Sequence, residues 1–578
     1  MASIQSKMSR GQKYWYIVES RRVNKKPRPI VLEYLGKAET LLKRLRGLAE
    51  NYTIKSYSHG AVVALLDIAQ KLDVSSIINQ HIKSQRPYMA EKPVRHKLTA
   101  GITLLLGAVG RVCKPTSKDG WWAWARTTSI EYLLRVALSK VDSNHFWDMM
   151  DSLPVEAIEK IEFELLQRAR EVYKLESDTL LFDTTNFFTY IDSTNARCTI
   201  AKRGKNKQKR YDLRQVGLAM VVTKQDNIPL FHVTYEGNMN DSKVFKEVVG
   251  KIKERMVNLN LDLKGHTLVF DQGNNSKSNM ALIKELDLYY VGALTPYQHK
   301  ALVIKAADNF EEITVRDKTI QTYREKRKVW GEERTVLVII SDKLRAGQLR
   351  GIYQALAKRE KKLQEISEGL DSPNVRKRDK DALEERIRKL IKGQYLAGMI
   401  DWSLNENPDG KLKLNYNINK ERLESIEKEL GYRILMTNRH EWASTEIIDS
   451  YHGQSAVESA FKKMKNPFHL ALRPQFHWTD QKIIVHNFIC VLGYQMASIL
   501  LREARLKANF TGSMNTLLTT LDNVRLSVVL EQLSEKGKPK ITYKLEEMSE
   551  EENILVEALD LKNLHIKRPK LRGVGVYN

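Results

Sequence analysis

Two short apolar segments that each end on an aspartate constrain the fold of this chain more than any other feature. Leu180–Asp183 has the sequence LLFD, and Thr267–Asp271 has the sequence TLVFD. Short apolar runs bounded by polar residues are typical of strands that are buried on both faces of a sheet. Because α/β proteins place ligand-contacting groups where such strands end, we expect Asp183 and Asp271 to lie at a functional edge of the sheet.

A helix far downstream supplies a third acidic residue. The pattern places its start near Tyr451, with the sequence YHGQSAVESAFKKMK. At about 3.6 residues per turn, four of its side chains fall on one stripe of the helix surface. These four are Tyr451, Gln454, Glu458 and Lys465.

The three acidic residues are suited to hard divalent cations. Carboxylate oxygens favour Mg²⁺ or Mn²⁺. Two such ions about 4 Å apart can hold the attacking and leaving oxygens of a phosphodiester displacement. The sequence therefore predicts that Asp183, Asp271 and Glu458 are catalytic residues that bind two Mg²⁺ or Mn²⁺ ions.

Each acidic residue also has a simpler explanation when it is considered alone. Asp183 can be a turn or helix-cap residue, and Asp271 opens a Gly/Asn-rich turn that leads into a helix. Glu458 can pair on the helix surface with Lys462, four residues later. Their joint occurrence on three separate elements, with a tyrosine and a lysine beside the third, favours the catalytic interpretation.

The net charge indicates a polyanionic partner. Lys and Arg number 95 against 70 Asp and Glu, which gives a formal charge of +25 and a pI of about 9.6. Nucleic acid is the commonest partner of so basic a protein. An acidic membrane surface is the competing interpretation, but the sequence offers no basic amphipathic helix or lipidation motif to support it.

The cysteines and the apolar segments indicate a soluble cytoplasmic protein. Cys113, Cys198 and Cys490 are too widely separated for a zinc cluster and are expected to be reduced thiols. The longest apolar segment, Ile483–Leu501, is interrupted by polar residues such as His486. We therefore interpret it as a buried core helix rather than a membrane span.

A basic segment follows the first acidic strand. Between Arg197 and Arg214 the chain holds eight Lys or Arg residues against one Asp. A solvated loop is the default explanation of such a run, but beside a metal site in a basic protein a contact with the DNA backbone is at least as plausible. The candidate DNA-binding residues are Lys202, Arg203, Lys205, Lys207 and Arg210.

Hydrophobic periodicity predicts the order of structural classes along the chain. Residues 14–36 contain two β-rich runs around a turn and predict a hairpin, and residues 60–174 show helical spacing. That helical region is equally consistent with a DNA-reading module and with a plain structural bundle. Residues 177–295 predict strands and helices of a mixed α/β sheet with both faces covered. The pattern stalls over residues 296–431 and resumes at 432.

Several blocks of the sequence resemble the DDE transposases of bacterial insertion sequences. The helix stripe resembles the signature Tyr-x2-Arg-x3-Glu-x6-Lys of the IS-four-like superfamily, and the opening hairpin is similar to its long-insertion branch. LLFDTTNFF and LVFDQGNNS are similar to the family's first-acid and second-acid blocks, and LRPQFHWTDQKIIVHNFICVLGY is similar to its segment after the glutamate helix. One departure stands out, because position 454 is Gln where the signature has Arg. A bidentate cationic phosphate contact is thereby replaced by a neutral amide.

The resemblance implies an RNase H-like mixed-sheet core with a large insertion before its last catalytic helix, preceded by a β-hairpin and a helical domain. It implies Asp183, Asp271 and Glu458 as the metal-binding triad, with Tyr451, Gln454 and Lys465 at the DNA. The expected segments are a hairpin region (1–55), a helical domain (56–176), the first part of the core (177–295), an insertion of β-rich and charged helical segments (296–431), the second part of the core (432–505) and a basic C-terminal region (506–578).

The implied activity is DNA transposition. A bacterial, cytoplasmic enzyme of this family would bind the terminal inverted repeats of its element, cut the ends with Mg²⁺ or Mn²⁺, and transfer the 3′ ends to target DNA. Cut-and-paste transfer, with hairpin ends as a possible intermediate, and a homodimeric synaptic assembly are the family expectation. The alternatives are a catalytically idle or domesticated DNA-binding relative and a non-transposing nuclease with the same core.

Overall fold

The computed structural model describes residues 2–23, 26–46, 52–82, 98–175, 179–192, 194–206, 208–258, 265–271, 273, 275–371, 379–393, 395–408, 411–465, 472, 476–531 and 539–573. The chain divides into two units. The first consists of Met1–Arg168, Met464–Leu472 and Ile484–Asn578, and the second consists of Ala169–Lys463 and Arg473–Ile483.

Strands and helices occur in both units. The strands are β1 (Ala2–Ser9), β2 (Gln12–Val23), β3 (Lys26–Lys37), β4 (Tyr52–Ser58), β5 (Thr179–Thr189), β6 (Arg214–Thr223), β7 (Pro229–Glu236), β8 (Thr267–Val269), β9 (Tyr289–Leu294), β10 (Glu311–Val315), β11 (Lys318–Val329), β12 (Glu332–Ile340), β13 (Ile400–Glu406), β14 (Leu412–Ile418), β15 (Tyr432–Thr437), β16 (Arg525–Glu531) and β17 (Lys540–Leu545). The helices are α1 (Ala38–Arg46), α2 (Gly60–Lys71), α3 (Val74–Gln80), α4 (Ala100–Cys113), α5 (Trp121–Ala125), α6 (Ile130–Leu134), α7 (Ser143–Asp151), α8 (Ala157–Tyr173), α9 (Asp241–Asn258), α10 (Lys277–Glu285), α11 (Lys300–Ala307), α12 (Asp342–Asp371), α13 (Lys380–Ile391), α14 (Lys420–Lys428), α15 (Ser444–Lys465), α16 (Asp480–Ala508), α17 (Met514–Asn523) and α18 (Glu550–Ala558).

The N-terminal sheet confirms the predicted hairpin and extends it by one strand. β2 pairs with β3 in antiparallel fashion, and β1 pairs with β2 on the other side. Arg10 and Gly11 join β1 to β2 with positive φ angles of 49° and 74°, as a two-residue hairpin turn with the right twist requires. Every residue of β1 is exposed. Its apolar residues Ala2, Ile4 and Met8 lie at alternate positions but are exposed and few, and this strand was not predicted.

The rest of the first unit is mainly helical, and small residues allow its helices to pack closely. A Cβ on Gly493 in α16 would lie only 3.0 Å from the carbonyl oxygen of Ala108 in α4. By length and composition α16 could cross a membrane, but 94% of its most apolar window is buried inside the protein. This agrees with the core helix expected from the sequence.

The C-terminal region folds onto the first unit. β16 lies between β4 and β17 in a sheet, so residues 52–58 pair with residues 525–531. The hydroxyl of Tyr132 donates a hydrogen bond to the carbonyl of His565 at 2.7 Å, and the Arg568 guanidinium lies 4.4 Å from the ring centroid of Tyr132. These contacts join positions more than 400 residues apart. The sequence therefore predicted only a separate basic C-terminal region.

The second unit is built on one large mixed sheet. Among the described residues nine strands form it, in the order β10-β11-β12-β15-β9-β8-β5-β6-β7. β7, β6 and β5 form an antiparallel meander, and β8 and β9 then add parallel to β5. An antiparallel meander followed by parallel strands on its first member is the arrangement of an RNase H-like core, so the predicted fold class is confirmed.

The strands expected in an insertion extend this same sheet. β15 pairs with β9 and β12 pairs with β15, so β10, β11 and β12 continue the core sheet beyond β9. The boundary placed at residue 295 therefore falls within one sheet. The remainder of the segment, α12, α13, β13, β14 and α14, has its own apolar cluster, which includes Leu356, Leu363 and Leu404.

The two faces of the sheet are covered by different helices. Alternate residues such as Leu180 and Phe182 pack against α9 and α10 in the main core of the unit. On the other face α15 crosses β5, and Gly453 makes this approach possible. A Cβ at Gly453 would lie 3.3 Å from the Lys224 side chain and 3.4 Å from that of Leu181. The absence of a side chain at Gly453 therefore determines how closely α15 approaches β5.

We expect Gly453→Leu to destabilise the second unit by about 1–3 kcal/mol, the usual cost of overpacking, because the new side chain would displace α15 from β5. The urea midpoint of unfolding measures the change. Gly347→Leu in α12 is the matched control, because nothing lies within 4 Å of a Cβ there. Equal midpoints for the two variants would contradict the close approach of α15.

Candidate active site

The register of β5 and β8 brings the two candidate aspartates together. The last parallel pair of these strands is Leu181 with Val269. Asp183 and Asp271 both lie two residues beyond that pair, so they occupy equivalent positions on adjacent chains. Adjacent strands are about 4.8 Å apart, and residues two apart share a face. The two aspartates therefore lie side by side on the face that α15 covers.

Asp183 does not lie at the end of its strand, contrary to the sequence interpretation. β5 continues to Thr189, because β6 keeps pairing with it as far as Thr189 with Arg214. The following residues, TTNFF, favour extended structure, and only the pairing with β8 ends near Asp183. Asp183 therefore lies within β5, at the point where the parallel partner strand stops.

The glutamate helix begins earlier than Tyr451. α15 begins at Ser444, and the Glu446 carboxylate accepts a hydrogen bond from the Ala443 backbone N–H at 2.7 Å. The first two turns of α15 lie over the sheet ahead of Tyr451, so the candidate site residues fall in the middle of a long helix rather than at its flexible end.

Tyr451 connects α15 to the second aspartate. Its hydroxyl donates a hydrogen bond to Asp271 Oδ1 at 3.2 Å, and its side chain is buried. Burial raises the pKa of Tyr451, and the Asp271 and Glu458 carboxylates raise it further, whereas Arg433 opposes them. Tyr451 therefore stays protonated and acts as a hydrogen-bond donor to Asp271.

Glu458 faces the same space but does not contact the aspartates closely. A cavity of about 580 Å³ is lined by Asp271, Tyr451, Gln454 and Glu458, among others. The Glu458 side chain is 58% exposed and lies 4.0 Å from Lys462, its neighbour one turn along the helix. Within the described part of the chain, no three His, Cys, Asp or Glu residues are grouped closely enough to hold a metal ion.

The chemistry of the donors fits a hard divalent cation. Asp183 and Asp271 are paired carboxylates on a rigid sheet, and Asp271 is exposed. Carboxylate oxygens are the ligands that Mg²⁺ prefers. Glu458 lines the cavity into which Asp271 opens, and its carboxylate lies 4.0 Å from Lys462 Nζ.

The other two residues of the helix stripe occupy different environments. Gln454 is 6% exposed and lines the cavity beside Asp271. Lys465 is the last residue of α15 and is half-buried. The Gln at position 454 thus leaves a neutral amide in the wall of the candidate site, as the sequence indicated.

Four basic residues that the sequence analysis did not single out line the same cavity. They are Arg316, Lys318, Lys343 and Arg433. Three of them come from the segment that was interpreted as an insertion, and only the pairing of β11, β12 and β15 brings them to the site. A possible signal was the Val-Arg-Asp-Lys hairpin turn between two β-rich runs. Arg316 and Asp317 at its centre both have positive φ angles, of 47° and 60°.

An ion-pair network fixes that hairpin turn to α15. The Asp449 carboxylate lies 2.5 Å from the Arg316 guanidinium and 2.6 Å from Lys224 Nζ. Burial alone would raise the pKa of Asp449, but the hydrogen bonds from Lys224 and Arg316 hold it below its ordinary value. The turn that carries Arg316 and Lys318 is therefore held in place against the catalytic helix.

The basic loop is partly neutralised by its own acidic neighbours. Lys202 pairs with Glu236 at 2.7 Å, and Arg210 forms two hydrogen bonds with Asp212 at 2.9 and 2.7 Å. Arg203 and Lys205 are exposed, and neither forms an ion pair in the described part of the chain. Lys207 lies outside the described residues.

The loop is anchored at its two ends. Lys202 and Gln215 exchange backbone hydrogen bonds beside β6, and the Asp480 carboxylate accepts hydrogen bonds from the N–H groups of Thr199 and Ile200. Thr189, the last residue of β5, lies six residues beyond Asp183. At about 3.3 Å per residue, the end of β5 that leads toward the loop therefore lies about 20 Å along the strand from Asp183.

One protein family matches part of this chain. Residues 188–475 match the family described as "Transposase DDE domain". Asp271, Tyr451 and Glu458 lie inside the matched segment, and Asp183 lies five residues before it. No curated protein sequence matches the chain significantly. Among solved structures, the chain is similar to a cryo-EM structure of the piggyBac transposase synaptic complex with hairpin DNA, with 10% identity, 79% of each chain covered and a TM-score of 0.37.

Asp449→Asn should remove both ion pairs of the hairpin turn and lower stability by about 1–2 kcal/mol at pH 7, because the pairs are partly exposed. The folded pKa of Asp449 is lowered, so its contribution is present above about pH 4 and is lost as the pH falls through the folded pKa. Urea unfolding of both proteins at pH 7 and at lower pH measures this. A difference that grows as the pH falls would contradict the assignment.

Proposed function

We propose that this protein is a DNA transposase that cuts the terminal inverted repeats of its own element and transfers the freed 3′ ends to target DNA. The match of residues 188–475 to the family described as "Transposase DDE domain" supports this proposal. The finer steps, cut-and-paste transfer with hairpin ends and a homodimer that holds two DNA ends, are part of the proposal. The net charge of +25 supports a DNA partner.

One observation carries the catalytic part of the proposal. Asp183 lies on β5, Asp271 lies two residues beyond the adjacent parallel strand β8, and Tyr451 of the helix that bears Glu458 donates a hydrogen bond to Asp271. Aspartates with a purely structural role do not require this placement beside two adjacent strands. Two carboxylates held by a rigid sheet instead preorganise an oxygen-ligand site. The parallel pairing of β5 with β8, which ends two residues before each aspartate, therefore supports the proposal that these two residues act together.

The residues of the chain have distinct roles in the proposed reaction. Asp183, Asp271 and Glu458 would hold Mg²⁺ or Mn²⁺, two ions per site. When bound, these ions neutralise phosphodiester charge and make a water or a 3′-hydroxyl a better nucleophile. Tyr451 donates its hydroxyl proton to Asp271 in a hydrogen bond and so orients that carboxylate. The protein mainly supplies alignment and charge neutralisation.

Glu458 has to change its side-chain conformation to complete the site. It is exposed and lies near Lys462, while Asp271 opens into the cavity that both residues line. Glutamate has three rotatable side-chain bonds, so a bound cation can draw it away from a weak surface pair. We propose that DNA and divalent cations together complete the triad.

Asp183→Asn, Asp271→Asn and Glu458→Gln should each abolish Mg²⁺-dependent cleavage of a labelled terminal inverted repeat while binding of that DNA is largely retained. Each change removes one anionic ligand and keeps the side-chain volume. Denaturing gels measure cleavage, and gel shifts measure binding. Glu446→Gln is the matched control in the same helix. Cleavage at the wild-type rate by any triad variant would refute the assigned role of that residue.

Neutralising the basic loop should flatten the salt dependence of DNA binding unequally. Arg203→Gln with Lys205→Gln removes exposed charges, and each lost phosphate contact should reduce the slope of log K against log salt by about 0.9. Lys202→Gln with Arg210→Gln removes charges that are already paired with Glu236 and Asp212, so a smaller change is expected. Equal slopes for the wild type and both double variants would show that the loop does not contact DNA.

The alternative functions give different products in one assay. A non-transposing nuclease would cut the labelled end but would not join it to a supercoiled target. A catalytically idle relative would bind the end without cutting it. The separation of Glu458 from the two aspartates is the observation that keeps the idle alternative open, and the cleavage assay decides it.

A further inference from the structure

The cavity beside Asp271 and Glu458 has a cationic wall that has no role in the metal chemistry proposed above. We define this wall as Lys318, Lys343 and Arg433, which line the cavity together with Asp271 and Glu458. Lys318 begins β11, Lys343 lies in the first turn of α12, and Arg433 lies on β15. Three separate elements therefore direct a cation into one space.

The sheet register places Arg433 on the same face as the aspartates. On β15 the alternate residues Ile434 and Met436 pack into the main core, so Arg433 and Leu435 face the other side. Leu435 pairs with Ala293 on β9, and β9 runs parallel to the strand that ends near Asp271. Arg433 thus lies two strands away from Asp271, about 10 Å across the sheet, toward the same edge.

The three cations of the wall form no ion pairs with carboxylates among the described residues. The adjacent Arg316 is different, because it is paired with Asp449. Cations grouped in one cavity repel one another, and the two carboxylates of Asp271 and Glu458 in the same lining offset this repulsion only in part, so the space favours a further anion.

Arg433 is also positioned by an aromatic contact. Its guanidinium lies 5.3 Å from the ring centroid of Tyr451, within the range of a cation–π interaction. The hydroxyl of the same tyrosine contacts Asp271. One side chain thus spaces the guanidinium from the candidate metal ligand. His452 lines the same cavity, and its pKa is lowered mainly by burial and further by the nearby Arg316 and Arg433.

We propose that the cationic wall is a phosphate-binding subsite that holds the backbone of the DNA strand next to the bond being cut, with Arg433 replacing the cationic contact that Gln454 cannot make. This inference rests on the proposed function and names the residues that position its substrate. Arg433 is the only one of the three with a guanidinium, which can contact a phosphate through two parallel N–H groups. Lys318 and Lys343 act as point charges for neighbouring phosphates.

The geometry explains how a neutral residue at position 454 is tolerated. Gln454 is buried, and both it and Arg433 line the cavity, so either position can supply a contact to a phosphate held there. An arginine at position 454 beside Arg433 would place two guanidinium groups in one partly buried space. Repulsion would make such a pair costly unless a phosphate lay between them.

The first experiment measures binding and does not depend on cleavage. The triple variant Lys318→Gln, Lys343→Gln and Arg433→Gln is compared with the wild type for binding of a short single-stranded oligonucleotide over a range of salt concentrations. Loss of three contacts should reduce the slope of log K against log salt by about 2, because each contact on a single strand contributes about 0.7. An unchanged slope would overturn the proposal.

A charge-matched control separates the wall from net charge. Arg386, Lys411 and Lys413 are exposed, lie outside the cavity and are changed to Gln together. This variant also loses three positive charges, but none of them lies in the cavity. Its slope should therefore stay close to that of the wild type. Equal reductions in the slope for both triple variants would mean that only net charge matters, and that result would also overturn the proposal.

The second experiment exchanges the charge between the two walls. Arg433→Gln alone should slow Mg²⁺-dependent cleavage by about 10²–10³-fold, as expected for the loss of one preorganised contact to a reacting phosphate. Arg433→Gln with Gln454→Arg should recover at least tenfold of that loss, and Gln454→Arg alone should preserve or raise end processing. Cleavage by Arg433→Gln at the wild-type rate would exclude its role at the phosphate.

The outcomes distinguish failure of the subsite from failure of the proposed function. If cleavage depends on Asp183 and Asp271 but the wall variants bind and cut normally, only the subsite is wrong. If the wild type never cuts DNA, the proposed function fails and the salt slopes still decide whether the wall binds phosphates. Thermal unfolding of each variant shows that a loss of binding does not come from misfolding, and Arg433→Lys should retain part of the wild-type slope.

Discussion

The parallel pairing of β5 with β8 is the interaction on which the rest of the candidate site depends. It is short, ending at Leu181 with Val269, yet it sets Asp183 and Asp271 side by side on one face. Backbone hydrogen bonds fix this arrangement, because slippage by one residue would turn one aspartate into the apolar core. That core, with Phe182 and Phe270 packed against α9, makes the register costly to change.

A second constraint acts through α15. Gly453 allows the helix to lie against Leu181, and this contact lets Tyr451 reach Asp271. Glu458 follows two turns later and projects into the same cavity. The backbone thus fixes two acids, whereas the third depends on a flexible side chain. This division is consistent with the lack of a closed metal group among the described residues, although Asp271 and Glu458 line one cavity.

The sequence predicted those parts of the fold that local patterns encode. The strands that carry or precede Asp183 and Asp271, the helix that carries Glu458 and the N-terminal hairpin are local features, and the structure contains all of them, although β5 runs beyond Asp183 and the helix begins before Tyr451. Long-range pairing was not readable. The addition of β10–β12 to the core sheet depends on the partner chosen by β15, so the basic residues brought there, such as Arg433, were missed. The exposed strand β1 carries only a few apolar residues, such as Ile4 and Met8, and was also missed.

The central claim is that Asp183 and Asp271 share a divalent cation with Glu458 when DNA is bound. Crystals of the protein with a DNA end and Mn²⁺ test it directly through anomalous scattering. The account predicts an anomalous peak within about 2.0–2.3 Å of both aspartate carboxylates, with Glu458 turned toward it. Ordered Mn²⁺ elsewhere, with the two carboxylates facing a bound DNA end and holding no ion, would contradict it.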